Sequence, residues 1–463
     1  MLRRPGESER SENLMSGGEH TTGSDRPAAT PPAAAKKPAG FANLLLHLHP
    51  KVLPEEALAL DRTFGLGGMA LVLFLVLIAT GALLLFAYDP SIERAYASVT
   101  AIQEDVPFGA FVRGIHHWAG NFLLVVAFLH LVRVFFTGAF LPPRRFNWSL
   151  GLGMLLVVMA ADFTGYLLPW DQLAYWAVTI GTGMLRYVPL AGEALLRVVR
   201  GGAEVGPKTL SLFFVLHIAL LPILLFLLTG FHFWLVRKAG GVMLPNSADR
   251  RGTARPTLVP VRPNLTVREG VAALALLAAL LATAALVPAP LEEQANPGMS
   301  PNPAKAPWYF MGIQELLVHL HPSFAVLVAP LLCVVFLAGL AFLRYGEAPS
   351  GLWFHSERGK RAAARAALVA LVFVPTAVLL DEHVLHWTSF FPGLPPAIGA
   401  GLIPFVLWAV VLLAPALVLR RSLSLTRLET VQALFTIATV ALVVLTVVGV
   451  VFRGRGMRLE WPW

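Results

Sequence analysis

Cysteine is almost absent: one residue, Cys333, in 463, and it lies inside an apolar run. That excludes a disulfide framework, a paired-thiol zinc site, an iron–sulfur cluster and a CxxCH haem attachment in this sequence. Charge is scarce too. Charged residues make up 14% of the chain against 56% hydrophobic, and the mean hydropathy is +0.68. An ordinary soluble domain is excluded by that balance, and a polytopic membrane protein is expected. The first 40 residues lack the apolar core of a signal peptide. Rich in Pro, Ala, Ser and Gly, they are expected to form a disordered cytoplasmic tail.

What the chain has in abundance is apolar length. Nine runs can cross a hydrocarbon core of roughly 30 Å. They lie near 66–88, 116–139, 148–169, 209–236, 269–289, 323–343, 363–380, 399–419 and 429–451. None alternates as a strand does, and backbone groups in lipid must be satisfied within their own segment, so each run predicts a helix. The stretch 44–64 is expected to be a short interfacial lead-in, with His47 and His49 on its surface.

The net charge of +9 could point to nucleic acid, but its distribution does not. With a cytoplasmic N-terminus, the loops on that side (133–147, 237–268, 344–365 and 420–428) carry 18 Lys and Arg. The opposite loops (89–115, 171–208, 290–322 and 382–397) carry seven. This is the positive-inside bias, so the basic excess reports topology, and no nucleic-acid partner is expected. Arg453, Arg455 and Arg458 stand against the bias, on the outer side.

Histidine is the residue out of place. The second run, "GIHHWAGNFLLVVAFLHLVRVFF", holds His116, His117 and His130, and the fourth holds His217 and His232. A membrane histidine is costly, and its ordinary role is a helix-to-helix hydrogen bond or a place on a wet cavity. Spacing argues for more. At 100° per residue, the 14 residues from His116 to His130 return to within about 40° of one face. His117 points elsewhere. The 15 residues from His217 to His232 leave about 60°, again one broad face. Both pairs span about 21 to 22 Å. The second and fourth runs cross in the same direction, which sets His116 level with His217 and His130 level with His232. Two bis-histidine sites then stack across the bilayer. A pair of neutral imidazoles on opposite sides of one iron suits an electron-transfer haem, whereas zinc wants four ligands and neither level offers more. Gly67 and Gly81 in the first run, and Gly151 and Gly165 in the third, repeat the 14-residue period, as though each glycine faced one haem plane.

With these motifs the chain resembles the cytochrome b of the bc and b6f quinol oxidoreductases over roughly 60–345. "FVRGIHHWAG" with "HLVRVFFTGAF" is similar to that family's second helix, and "GYLLPWDQLAYWAV" to its third helix and following loop. The 15-residue ligand spacing resembles the b6f branch. "APWYF" (306–310) stands where the family carries its Pro-Glu-Trp-Tyr motif of the quinol site. The implied fold class is all-α: a four-helix haem-binding bundle plus C-terminal helices, about nine transmembrane helices in all. Implied divisions are the tail at 1–40, a di-haem bundle at 41–240, a subunit IV-like part with the quinol motif at 241–345, and additional helices at 346–463.

By this resemblance two b-type haems are implied, one on His116 and His217 at the outer side and one on His130 and His232 at the inner side. Arg113 and Arg133 would lie one near each haem, and Arg237 near an inner quinone-reduction site. Trp308 and Tyr309 would shape the quinol pocket. Two departures matter. Gly65 stands where the b6f branch has a cysteine for a third haem, so a thioether-linked haem is not expected. Pro307 replaces the motif glutamate, leaving Glu315 or Asp171 as expected proton acceptors. The implied partners are a Rieske iron–sulfur protein, a c-type cytochrome, membrane quinol and a second copy of the chain. The implied place is a bacterial inner membrane, multi-pass with the N-terminus cytoplasmic. Two alternatives stay open: a di-haem anchor of a non-bifurcating quinone-linked dehydrogenase or reductase, and a transporter with histidines on a proton path. In "DEHVLHWTSFFPG" (381–393), His383 and His386 are expected to be solvated or to meet another subunit.

Overall fold

The computed structural model describes residues 51–244, 257–346 and 351–461. The expected tail at 1–40 and the pair His47 and His49 lie outside the described residues. Among the described residues, nine helices are long and apolar enough to span a membrane. They are α1 (Leu66–Leu84), α2 (Gly109–Phe136), α3 (Arg145–Tyr166), α4 (Pro207–Lys238), α5 (Val261–Leu286), α6 (Ser323–Leu340), α7 (Glu357–Leu385), α8 (Ile398–Ser422) and α9 (Arg427–Phe452). The fold is all-α and polytopic. Its regular strand pairing is limited, among the described residues, to β1 (Val52–Pro54) against β2 (Leu258–Pro260), antiparallel with Leu53 opposite Val259.

Helix α1 packs along α2, α3 along α4, and α5 against the outside of α2. Between α1, α2 and α3 the core is Leu73, Phe74, Leu123, Leu124, Val126 and Val158. Outward faces are equally apolar, with Leu75, Ile78, Ile223, Phe226 and Leu227 exposed. Lipid is their solvent, so burial cannot sort these helices and close packing must. The last three helices show how. Ala362, Ala366 and Ala370 repeat every four residues on α7, fully buried, and meet Ala433 of α9 and Ala416 of α8. Small side chains at one helical interval let the backbones approach.

Three helices hold a π-turn just ahead of a proline. Turns at Leu216–Leu220, Ser323–Val328 and Ile398–Leu402 precede Pro222, Pro330 and Pro404. Proline has no N–H and its ring strikes the carbonyl four residues back, so the preceding turn opens to i→i+5 bonding.

Loops alternate sides. The α1–α2, α3–α4, α5–α6 and α7–α8 connections lie at one end with the segment after α9. The first three of these are the longest connections, carrying short helices Ala95–Glu104, Gln172–Gly183, Gly192–Arg200 and Met311–His319.

Candidate functional site

The structure brings the histidines of α2 and α4 together in two pairs. His116 and His217 have ring centroids 6.1 Å apart, and His130 and His232 are 6.4 Å apart. That order of pairing requires α2 and α4 to run the same way. Two imidazoles bound at about 2 Å to opposite sides of one metal place their ring centres about 6 Å apart, so both pairs fit an axially coordinated iron. His117 is in neither; its ring lies against Trp118, 5.0 Å between centroids.

The π-turn at Leu216–Leu220 accounts for the unequal spacings. His217 lies in it. One wider turn of about 4.4 residues absorbs the extra residue and brings His217 and His232 to within about 20° of one face, where a regular helix would leave about 60°.

Second partners orient the long-loop-side pair. Thr80 Oγ1 donates to the Val76 carbonyl (2.7 Å) and accepts from His116 Nδ1 (2.9 Å). His217 Nδ1 donates to the Ala161 carbonyl at 2.9 Å. A proton fixed on Nδ1 leaves the Nε2 lone pair for a metal. At the other pair, His130 Nδ1 and His232 Nδ1 are buried without partners among the described residues.

Each of the four glycines faces one of these rings. A Cβ on Gly81 would sit 3.1 Å from His116 Cε1, one on Gly67 3.5 Å from His130 Cε1, and one on Gly151 3.7 Å from His232 Cε1. At Gly165 it would collide with His217. The shared 14-residue period is thus the period of helix pairs α1–α2 and α3–α4, with a small residue where a ring needs room.

Arg113 and Arg133 each lie three residues from a histidine of α2, on its face of the helix. Arg113 donates to the carbonyls of Ala289 (3.0 Å) and Pro290 (2.6 Å) and to Gln103, tying α2 to the chain leaving α5. Arg133 is buried and donates to the Arg62 carbonyl at 2.6 Å. Arg237 lies in the last turn of α4.

The tight turn Trp308–Phe310 docks at the level of the first pair. Trp308 Nε1 donates to Asn121 Oδ1 on α2 (2.6 Å), and Phe310 packs on Phe163 of α3 with centroids 5.7 Å apart. The Tyr309 hydroxyl is buried without a partner among the described residues. Burial, and the nearby charge of Asp162, push its pKa above the ordinary phenol value.

The two expected carboxylates are both engaged. Asp171 caps Gln172–Gly183, accepting from Ala174 N (2.8 Å) and Glu292 N (3.2 Å). Burial raises its pKa against those bonds. Glu315, fully buried, accepts from Arg453 through Nη2 (2.6 Å) and Nε (2.9 Å). His319 donates from Nδ1 to Asp381 Oδ2 (2.7 Å) and from Nε2 to Glu315 Oε1 (3.1 Å), and Arg453 Nη1 reaches Glu382 Oε2 (2.8 Å). This network joins Met311–His319 to the ends of α7 and α9. It also explains why Arg453 departs from the charge bias: it is 2% exposed, an internal ion and no topology signal.

Sequence reasoning assigned no role to His319, Asp381, Glu382, Asn121 or Asp162. For Asp162 a signal existed, a carboxylate inside an apolar helix. No gathering of three His, Cys, Asp or Glu side chains suited to a metal ion occurs among the described residues, His383 and His386 included.

Comparison with known proteins adds the lineage. The family profile "Cytochrome b/b6/petB" matches residues 54–240. The chain is 41% identical to a cytochrome b6 of Prochlorococcus marinus (strain MIT 9303) over 175 residues, 38% of this chain and 80% of that protein. It is 40% identical to a cytochrome b6 of Heliomicrobium gestii over 187 residues, 40% of this chain and 88% of that one. Among solved structures, a chain of a hyperthermophilic respiratory Complex III is similar in fold. It has a TM-score of 0.60 and 24% identity, covering 84% of this chain and 91% of that chain.

Proposed function

Because the chain belongs to the cytochrome b family, we propose that it is the electron-carrying cytochrome b subunit of a quinol:cytochrome c oxidoreductase. Membership implies b-type haem. The finer reading is two haems, one held by His116 and His217 and the other by His130 and His232. The observation that carries it is the pair of imidazole pairs, 6.1 and 6.4 Å between centroids, stacked along two parallel helices. Each haem, when bound, supplies a one-electron redox centre.

The chain's own residues do the rest. Thr80 and the Ala161 carbonyl hold His116 and His217 in the tautomer that presents Nε2. The four glycines leave clearance beside the rings. Trp308, pinned to Asn121, and Tyr309 shape a quinol pocket next to the first pair. Arg113 and Arg133 would pair with haem propionates, one at each level, and Arg237 would serve a quinone-reduction site at the other end. Haems held at the His116–His217 level and at the His130–His232 level, about 21 Å apart along α2, would supply one-electron centres between a quinol site at the long-loop side and the opposite end. The charge bias supports an N-terminus in the cytoplasm of a bacterial inner membrane. One cysteine cannot hold an iron–sulfur centre, so the high-potential acceptor is a Rieske protein with a c-type cytochrome on other subunits. Pairing with a second copy rests on the family likeness.

Pro307, which has no carboxylate, favours a second reading: a di-haem anchor that passes electrons without bifurcation. Redox titration of the purified chain, with haem counted per polypeptide, tests the first. Two b-type haems at separate potentials are expected, with one lost in His217→Leu; no haem or a single one overturns it. A Rieske subunit in the purified complex excludes the anchor reading.

A further inference from the structure

Asp162 lies on α3 one turn before its end, partly buried, and makes no hydrogen bond or ion pair with any described residue. Its Oδ1 lies against Gly120 of α2, only 2.8 Å from where a Cβ there would stand. The residues on either side touch both halves of the site. The Ala161 carbonyl accepts from His217, and Phe163 packs on Phe310 of the aromatic turn. Across this junction is the Tyr309 hydroxyl, also without a partner and close enough for the Asp162 charge to act on it. A buried donor and a carboxylate acceptor, both unpartnered among the described residues and set around one junction of α2, α3 and the aromatic turn, call for a ligand that satisfies them. A hydroquinone hydroxyl does so, because it accepts from a phenol and donates to a carboxylate.

Resting on the quinol-oxidising reading above, we propose that Asp162 is the catalytic residue that takes the proton of quinol bound beneath the Trp308–Phe310 turn. Its competitors are spent. Both oxygens of Glu315 are held by Arg453, and both of Asp171 by backbone N–H groups. The ion pairing holds Glu315 below the ordinary carboxyl range despite its burial, making it a poor base. Among the described residues no cation pairs with Asp162. In the step assigned to it, the quinol O–H bond breaks and its electron pair stays on the quinol oxygen. The proton forms an O–H bond on Asp162, and the negative charge passes from carboxylate to quinol oxygen. Tyr309, kept protonated by burial and by the Asp162 charge, donates a hydrogen bond to orient the ring.

The test is quinol-driven haem reduction in the intact complex, with short-chain synthetic ubiquinol and menaquinol run in parallel. Asp162→Asn is expected to slow reduction by about a hundredfold while haem content and dithionite-reduced spectra stay as in the parent, and Asp162→Glu to restore most of the rate. An Asp162→Asn complex that reduces haem at the parental rate overturns the assignment. Should that variant not assemble, the parent protein labelled with carbon-13 aspartate decides. A labelled carboxyl band is expected in the infrared difference spectrum on quinol addition, and its absence overturns the assignment. A parent complex that accepts electrons from neither quinol fails the quinol reading itself, whereas an active parent beside an unimpaired Asp162→Asn fails this assignment alone.

Discussion

A glycine opposite a histidine ring is a test of clearance at a single atom. At Gly151 an added methyl would stand 3.7 Å from His232, an ordinary contact, whereas at Gly165 it would fall on the His217 ring. Side chains in packed interiors do not yield that much without strain. Gly165→Ala is therefore expected to lose most of one haem per polypeptide while Gly151→Ala keeps both, as read by pyridine haemochrome. Equal haem content in the two variants would remove the idea that the glycines make room for ring and macrocycle. At this scale much was legible. The histidine and glycine spacings are local, and 100° per residue turns them into faces. Asp162 was visible as a letter, but its meaning comes from Tyr309, far along the chain and brought close by folding.

Among the elements, α4 carries the instructive irregularity. Its extra residue between histidines is absorbed by the π-turn ahead of Pro222. If that turn exists to restore a common face, deleting Ala219 together with Pro222→Ala should give a regular helix with a 14-residue spacing, like α2. Such a variant is expected to keep both haems, and difference spectra that show either missing would refute the account. The nine helices were legible because lipid forces continuous apolar runs to be helical. The π-turns of α4, α6 and α8 were not read, although each of these three announces itself by a proline two residues on. Nor could the run of buried alanines on α7 be told from lipid-facing ones, since apolar residues occupy both faces.

For the molecule as a whole, the buried network of Glu315, His319, Asp381, Glu382 and Arg453 binds α7, α9 and the helix Met311–His319 into one body. Removing one partner of a buried ion pair leaves the other uncompensated, at a cost of about 3–5 kcal/mol. Arg453→Met is expected to lower the thermal midpoint accordingly in detergent, and Glu315→Leu added to it to recover much of the loss. A single variant as stable as the parent would show that the network is not a clamp. Its pH dependence has a sign at each end. Burial alone would raise Glu315, but bonds from His319 and Arg453 hold it below the ordinary 4.5. Its contribution is complete above that pH and fades as pH falls through the lowered value. Burial alone would lower His319, but bonds to Asp381 and Glu315 hold it above the ordinary 6.5. That contribution is complete below 6.5 and fades as pH rises through the raised value. The midpoint is expected to be highest between pH 4.5 and 6.5 and to fall on both sides, less steeply on the acid side in Arg453→Met. None of this was legible in the sequence, where the arginine and the glutamate belong to distant segments.

The bond from Arg453 to Glu315 closes over 138 residues. A ribosome delivers the aromatic turn first and its clamp well over a hundred residues later, 138 from Glu315 to Arg453. During synthesis, then, the histidine pairs of α2 and α4 can assemble early, while the helix that steadies Trp308 and Tyr309 stays unlocked until α9 is inserted. A nascent chain can thus complete its histidine pairs before its aromatic turn is fixed in place, so the two halves of the site mature in order and not at once.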